Sequence, residues 1–226
     1  MPEFVVEFGM DTPPAEPDGR LDAPAFHRNH GPIWSVVGDF LSGRTGDVLE
    51  LGSGTGQHAV TFARAAPDIV WWPSDCNDAH LRSIEAWRRH AGLANLRPPL
   101  AIDLSAADWA LRLAAPGLPE RFLAVLSINV LHIAPWQVAQ GLFAGVGRRI
   151  AADGRLFVYG PFMRDGAHTA DSNAAFDASL RRSNPEWGVR DVVDIEGLAG
   201  RMNLRLAETV PMPANNMVLV FARSAI

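Results

Sequence analysis

The sequence predicts an α/β fold in which a mostly parallel sheet is covered by helices on both faces. Three observations carry this reading. Short apolar runs of strand length alternate with amphipathic stretches of helical period along most of the chain. The run Val48-Leu49-Glu50-Leu51 ends in a turn with glycines at 52, 54 and 56, then passes into a helical stretch (Ala59, Val60, Phe62, Ala63). The last two apolar runs, 203–210 and 217–223, are joined by a connection too short for a helix, so they must run antiparallel to each other.

Taken in order, residues 1–20 are rich in proline and acid and read as an irregular arm, with one domain expected over 21–226. Ile33, Val36, Val37, Phe40 and Leu41 share one face of a helix predicted from Pro24 to Leu41, with Pro32 expected to bend it. Strand one is predicted at 47–51, and its helix ends before Pro67. Strand two is predicted at 69–74, followed by a helix over 78–91 closed by Gly92. Strand three is expected at 99–104, a short helix near 106–114, and strand four at 122–129. Pro135 suits the first turn of a helix running to Ile150, and Asp153-Gly154 is expected to turn the chain into strand five at 155–159. A polar segment, 163–190, holds a helix near 172–182, and another helix spans 191–201 before the closing pair. Seven strands with one reversed near the sheet edge match the Rossmann-like methyltransferase arrangement, and the chain has little room for the second domain of a dehydrogenase.

Composition narrows the setting. At 226 residues, with 48% hydrophobic and 20% charged content, the chain is long enough to bury a core without covalent staples. The single cysteine, Cys76, excludes an internal disulfide and a cysteine zinc site, and the histidines show no metal-ligand spacing, so no metal is expected. A net charge of −5 gives no basic face for nucleic acid. Without an apolar run of membrane-spanning length or a secretory start, the reading is cytoplasmic and free of membrane, with the oligomeric state left open.

The glycine turn carries most of the chemistry. Gly52, Gly54 and Gly56 let backbone amides approach a ligand, and the following helix points its N-terminus at that ligand. Glu50 at the strand end would repel a pyrophosphate, but it can accept bonds from a hydroxyl or an amine. Asp75 ends the second strand, where a doubly wound fold grips a ribose diol, and Asp103 ends the third, suited to an adenine amino group. Each acid taken alone is equally a helix cap or turn former. Three acids ending successive strands point to S-adenosylmethionine. Ser53 and His58 in the turn, Cys76 after Asp75, Leu104 after Asp103, and Asn129 after strand four are assigned to the same cofactor. Arg28, as a carboxylate partner, and Asn29 are expected to close over its methionine end, against a plain surface role for Arg28.

His132 follows strand four and is either a general base or a hydrogen-bonded cap beneath the Pro135 helix. Tyr159 ends strand five and either orients a nucleophile or is a half-buried aromatic with a wet tip. Segment 163–190, with Ser172, Asn173, Asn184 and Arg190 among aromatics, is expected to form a lid, against a surface excursion that only shields the sheet. The Asn215-Asn216 pair reads as turn formers or as part of that cover.

Many words of this sequence, in the same order, resemble the methyltransferase-like protein 26 family. They include Arg28-Asn29 with Pro32-Ile33, the turn at 52–58, Pro73-Ser74-Asp75, Ser83-Ile84 with Ala86-Trp87, and Ile128-Asn129 with His132-Ile133 and Pro135-Trp136. Further on they include Tyr159-Gly160-Pro161-Phe162, Ser172-Asn173, Asn184-Pro185-Glu186-Trp187-Gly188 with Arg190-Asp191, and Met212-Pro213-Ala214-Asn215-Asn216. His27 and His30 depart from the family, which usually carries Glu and Lys there. The resemblance implies a class I methyltransferase-like domain over nearly the whole chain after residue 20. Two functions follow: an S-adenosylmethionine-dependent methyltransferase for a small-molecule acceptor, or a non-catalytic module that binds the cofactor or its product and works through a partner. A nicotinamide-dependent oxidoreductase is the third and weakest reading.

Overall fold

The apolar runs become the strands of a mixed sheet, and the amphipathic stretches become the helices around it. The computed structural model describes residues 16–106 and 108–224, and the chain divides into two compact units, one ending at Asp103 and the other starting at Leu104. The first holds α1 (Pro24–Leu41), β1 (Gly46–Leu51), α2 (Gln57–Ala65), β2 (Ile69–Asp75), α3 (Asp78–Ala91) and β3 (Leu100–Ala101). Its strands lie in the order β3-β2-β1, all parallel, with Gly46 opposite Ile69 and Leu51 opposite Ser74. Val48, Leu49, Leu51, Phe62, Trp71, Trp72 and Ile84 form its core, as expected of parallel strands covered on both faces.

α3 begins and ends as its residues dictate. Asn77 caps it by accepting from the backbone of Ala79 and His80, and Gly92 closes it in the left-handed conformation at φ 62°. β3 is shorter than the 99–104 expected. Pro98 and Pro99 lack the N–H groups a strand must donate, so pairing with β2 is broken into a lone bridge at Leu96 and the two residues Leu100–Ala101.

The second unit holds α4 (Trp109–Arg112), β4 (Phe122–Ile128), a 3-10 turn (Leu131–Ile133), α5 (Trp136–Arg149), β5 (Ile150–Arg164), β6 (Ala167–His168), α6 (Asp171–Ser183), β7 (Arg190–Asp191), α7 (Val192–Arg201), β8 (Leu204–Met212) and β9 (Asn216–Arg223). Its order is β4-β5-β9-β8. β4 and β5 are parallel, while β9 runs antiparallel to both its neighbours and is the reversed strand of this order that the short final connection requires. β6 and β7, two residues each, pair with the far end of β5, so both ends of 163–190 are tied to that strand.

Two expectations are corrected here. Asp153-Gly154 is not a turn between helix and strand. β5 starts at Ile150 and runs through both residues, and its register against β4 shifts between Phe122 and Ala124. Gly154 makes this possible, because a Cβ there would meet Leu123 O at 2.9 Å and Phe122 O at 3.1 Å. The helix expected near 106–114 shortens to α4, whose Trp109 donates Nε1–H to Gly141 O at 2.8 Å and packs its ring against Gly145 of α5.

α5 accepts that ring through small residues. A Cβ at Gly141 would sit 1.8 Å from Leu104 O, and one at Gly145 would sit 2.0 Å from the Trp109 ring. Gly197, on the exposed face of α7, has open space around it. Gly141→Ala should therefore destabilise the protein by about 2–3 kcal/mol through overpacking. Gly197→Ala should stabilise it by up to about 1 kcal/mol, the ordinary helix preference. Urea unfolding of both variants reads the difference, and equal midpoints would mean that α5 carries no such close approach.

Candidate cofactor and acceptor sites

The turn after β1 takes a shape only glycine adopts easily, with φ 74° at Gly52, 57° at Gly54 and 92° at Gly56. Two of these positions differ in their surroundings. A Cβ at Gly56 would press on the Ile84 backbone at 2.9 Å, so this glycine seats the turn on α3. Nothing lies within 4 Å of the corresponding point at Gly54, so the turn is open there. The start of α2, with Gly56 as its cap, has no side chain accepting its first N–H groups.

The acid at the end of β2 holds this turn. Asp75 Oδ2 accepts the Gly54 N–H at 2.9 Å, Oδ1 accepts the Asn77 N–H at 2.9 Å, and His80 Nδ1 lies 3.2 Å from Oδ1. A carboxylate oxygen has two acceptor sites, so Oδ2 can take a ligand hydroxyl while keeping the Gly54 bond. Cys76 and Asp103 lie beside it. Partial burial and the Asp75 and Asp103 carboxylates push the Cys76 thiol up to about 11, which keeps it neutral. The structure thus gathers Gly52, Ser53, Gly54, Gly56, Asp75, Cys76 and Asp103 at one end of β1, β2 and β3.

Glu50 occupies a different place from the one its position in sequence suggests. It is 1% exposed, and its Oε2 accepts the indole N–H of Trp71 at 2.7 Å. Burial, with the Asp75 charge adding to it, pushes its carboxyl up to about 7 against the opposing bonds from Trp71 and Ser53. It therefore braces the turn from below. Asn29 is also buried, with Oδ1 2.8 Å from His58 Nε2, whereas Arg28 is exposed. Burial and the neighbouring His30 hold His58 down to about 3, so it is neutral and donates to Asn29.

In the second unit the ends of β4 and β5 meet. Asn129 stands at φ 60°, a conformation asparagine tolerates, and donates its N–H to Tyr159 O at 2.9 Å. Leu104 and Tyr159 are buried. His132 is 6% exposed and packs close to Gly160, whose added Cβ would meet Nδ1 at 3.3 Å. Its ring meets Phe176 of α6 edge-on at 5.5 Å. Burial first and the Arg190 charge second lower its pKa to about 4, so it is an uncharged, weak base at neutral pH.

Segment 163–190 is fastened over this turn. Gly188 N–H donates to His132 O at 3.0 Å, and the Arg190 guanidinium donates to the carbonyls of Leu131, Ala134 and Glu186 at 3.1, 2.6 and 2.8 Å. Asp177 Oδ1 accepts the Val189 N–H at 2.7 Å. Asn173, buried, donates to Thr169 Oγ1 and to Asn215 O, both at 3.0 Å, and Asn215 donates to Ser172 Oγ at 3.2 Å. The asparagines therefore lock α6 to the tip of the β8–β9 hairpin. Arg190 is the functional residue that sequence reasoning undervalued, since its carbonyl partners lie up to 59 residues away and carry no side-chain signal.

A family model described as "Protein of unknown function (DUF938)" matches residues 20–223. The chain belongs to this family. Solved structures resemble this DUF938 member at low identity. An O-methyltransferase family protein from Burkholderia thailandensis is 17% identical, with TM-score 0.72 over 89% of this chain and 58% of its own. CalO1, a methyltransferase in calicheamicin biosynthesis in its SAH-bound form, is 18% identical, with TM-score 0.62 over 80% and 49%. An O-methyltransferase family 2 protein from Planctomyces limnophilus in complex with apigenin is 18% identical, with TM-score 0.65 over 81% and 51%. These likenesses establish the methyltransferase fold, and this chain spans about half the length of those proteins. Among the described residues no helix is long and apolar enough to cross a membrane.

Three buried groups link stability to pH. Glu50 binds its proton more tightly folded than unfolded, so its contribution falls as pH rises from its ordinary 4.5 to about 7. His58 and His132, held down to about 3 and about 4, contribute stability present above their ordinary 6.5 and lost as pH falls. Between pH 4.5 and 6.5 two imidazoles outweigh one carboxyl, so acidification should cost about 1.4 kcal/mol per pH unit, the slope of one net proton. Glu50→Gln removes the opposing contribution and should roughly double that slope. Urea midpoints at pH 5, 6 and 7 measure it, and an unchanged slope would exclude a protonated Glu50.

Proposed function

We propose that this protein is an S-adenosylmethionine-dependent methyltransferase acting on a small-molecule acceptor, in keeping with its resemblance to the methyltransferase-like protein 26 family and a cytoplasmic setting. The observation that carries the reading is the Asp75 carboxylate holding the Gly54 N–H at the open point of the glycine turn. One residue thereby positions backbone amides and offers an acceptor for a ribose hydroxyl.

The donor set suits that cofactor. Asp75 would take the ribose diol, Asp103 the adenine amine, and the open turn and the α2 N-terminus the methionyl end. When bound, the cofactor supplies a methyl group already activated by a positive sulfur, so the protein needs to align a nucleophile and exclude water rather than supply strong acid–base chemistry. His132 and Tyr159 are assigned to the acceptor. An imidazole held down to about 4 is too weak a base to deprotonate an alcohol, so His132 hydrogen-bonds and orients an acceptor that ionises easily by itself. Phe176, Gly188 and Arg190 cover His132 from the 163–190 segment and keep water from it.

The same weak base favours a second reading, in which the protein holds the cofactor or its product without turnover and acts through a partner. Turnover of labelled S-adenosylmethionine with a metabolite extract separates the two. Labelled product supports the enzyme, and saturable binding with no product in any fraction supports the module.

Calorimetry with S-adenosylhomocysteine and with NAD tests the cofactor itself. Asp75→Ala should weaken S-adenosylhomocysteine binding by about 1.5–3 kcal/mol, the range for hydrogen bonds to a charged group. NAD binding in place of S-adenosylhomocysteine would sink the methyltransferase reading.

A further inference from the structure

Gln57 is the first residue of α2, follows the last glycine of the turn, and is 4% exposed. A buried amide is costly unless its atoms are bonded, and an apolar side chain would pack there more cheaply. Its partners show what it does. Oε1 accepts the Thr55 hydroxyl at 2.9 Å and the Ala23 backbone N–H at 2.8 Å, which uses both lone pairs. Nε2 donates to Asp22 Oδ1, the same oxygen that His27 Nε2 approaches at 2.7 Å.

The segment carrying those partners, Arg20 to Ala23, is tied down along its length. Leu21 donates its N–H to Ser83 Oγ at 2.9 Å, and that hydroxyl donates to Thr55 O at 2.7 Å. Leu21 O accepts the Trp87 indole N–H at 2.9 Å, and the Arg20 guanidinium lies 4.6 Å from the centre of the same ring. The turn is thus gripped from outside through Thr55 and Gln57 by a strap that is itself anchored on α3.

We infer that Gln57 is a positioning residue that couples this strap to the glycine turn, so that docking of residues 20–23 sets the turn's readiness to bind its ligand. Left alone, Gly52, Gly54 and Gly56 have wide conformational freedom and would have to lose it at the moment of binding. The strap removes that freedom beforehand, and linkage then requires bound ligand to hold the strap in return. The inference rests on the proposal that the turn binds S-adenosylmethionine and its product.

The bond pattern provides a specific test. Gln57→Glu keeps both accepting bonds, the one from Ala23 of the strap included, but sets a carboxylate against Asp22, so it breaks only the link to the Asp22 side chain. Asp22→Asn added to it returns a donor on the other side, with the bond reversed and the charge of the pair unchanged. We expect Gln57→Glu to weaken S-adenosylhomocysteine binding by about 10-fold or more, in the range of coupling between sites. Amide exchange should rise at 20–23 and 52–57, and the double variant should recover both to near wild type. Loss of binding through general unfolding would raise exchange across β1 and β2 as well and would not be repaired by Asp22→Asn. Wild-type affinity in Gln57→Glu, or no recovery in the double variant, overturns the inference. Should Gln57→Glu fail to fold, Asp22→Ala breaks the same link from the strap, and unchanged exchange at 52–57 in that variant also overturns it. If the wild-type protein binds no S-adenosylhomocysteine, the cofactor proposal fails, while exchange in the ligand-free variants still decides whether Gln57 couples strap and turn.

Discussion

The bond between the Asp75 carboxylate and the Gly54 N–H is the contact on which the first unit's chemistry depends. A turn with three residues at positive φ has little intrinsic preference for one shape, and its backbone bonds, from Ser53 N–H to Ser74 O at 2.7 Å and from Gly56 N–H to Ser53 O at 3.0 Å, leave Gly54 for another group to fix. A charged acceptor can, because hydrogen bonds to ionised groups are about twice as strong as neutral ones. Asp75 is in turn fixed by the Asn77 N–H and flanked by His80, so one side chain ties the entry of α3 to the turn.

Beneath that contact lies a second layer that never meets solvent. Glu50 and the Trp71 indole form a buried pair joining β1 to β2, and the Ser74 hydroxyl donates to Glu50 O at 2.7 Å. Above it lies the strap of residues 20–23 with Gln57. The turn is therefore held from below, from the side and from above, with Gly54 left open. Preorganisation of this kind lowers the entropy lost when a ligand binds, at the expense of burying polar groups that must all find partners.

The second unit solves a similar problem with backbone carbonyls. The Arg190 guanidinium caps three carbonyls that a 3-10 turn and its surroundings leave over, and so holds the turn carrying His132 in place. Burial first, and the Arg190 charge second, lower the basicity of the imidazole, so the device that positions His132 also adds to what keeps it neutral. Positioning and chemistry are not independent choices here.

The sequence by itself determined the alternation of strands and helices, because burial on both faces demands continuous apolar runs, and a 3.6-residue period marks each helix face. It also determined the reversed strand, since the few residues between Leu204–Met212 and Asn216–Arg223 allow only an antiparallel return. The placement of the glycines and of the acids at 75 and 103 followed from local sequence: each lies at or just past the end of β1, β2 or β3. What only the tertiary structure decided were the partners. Glu50 and Asp75 both end apolar runs, yet one is sealed beneath the turn by an indole 21 residues away and the other holds the turn itself. The strand expected at 99–104 shrank to Leu100–Ala101 beside Pro98 and Pro99, and the bulge that carries β5 through Asp153-Gly154 depends on how closely another backbone approaches. The bonds of Gln57 and Arg190 were not legible: Gln57 reaches Asp22 and Ala23, 35 and 34 residues earlier, and Arg190 binds backbone carbonyls, which are the same in every residue.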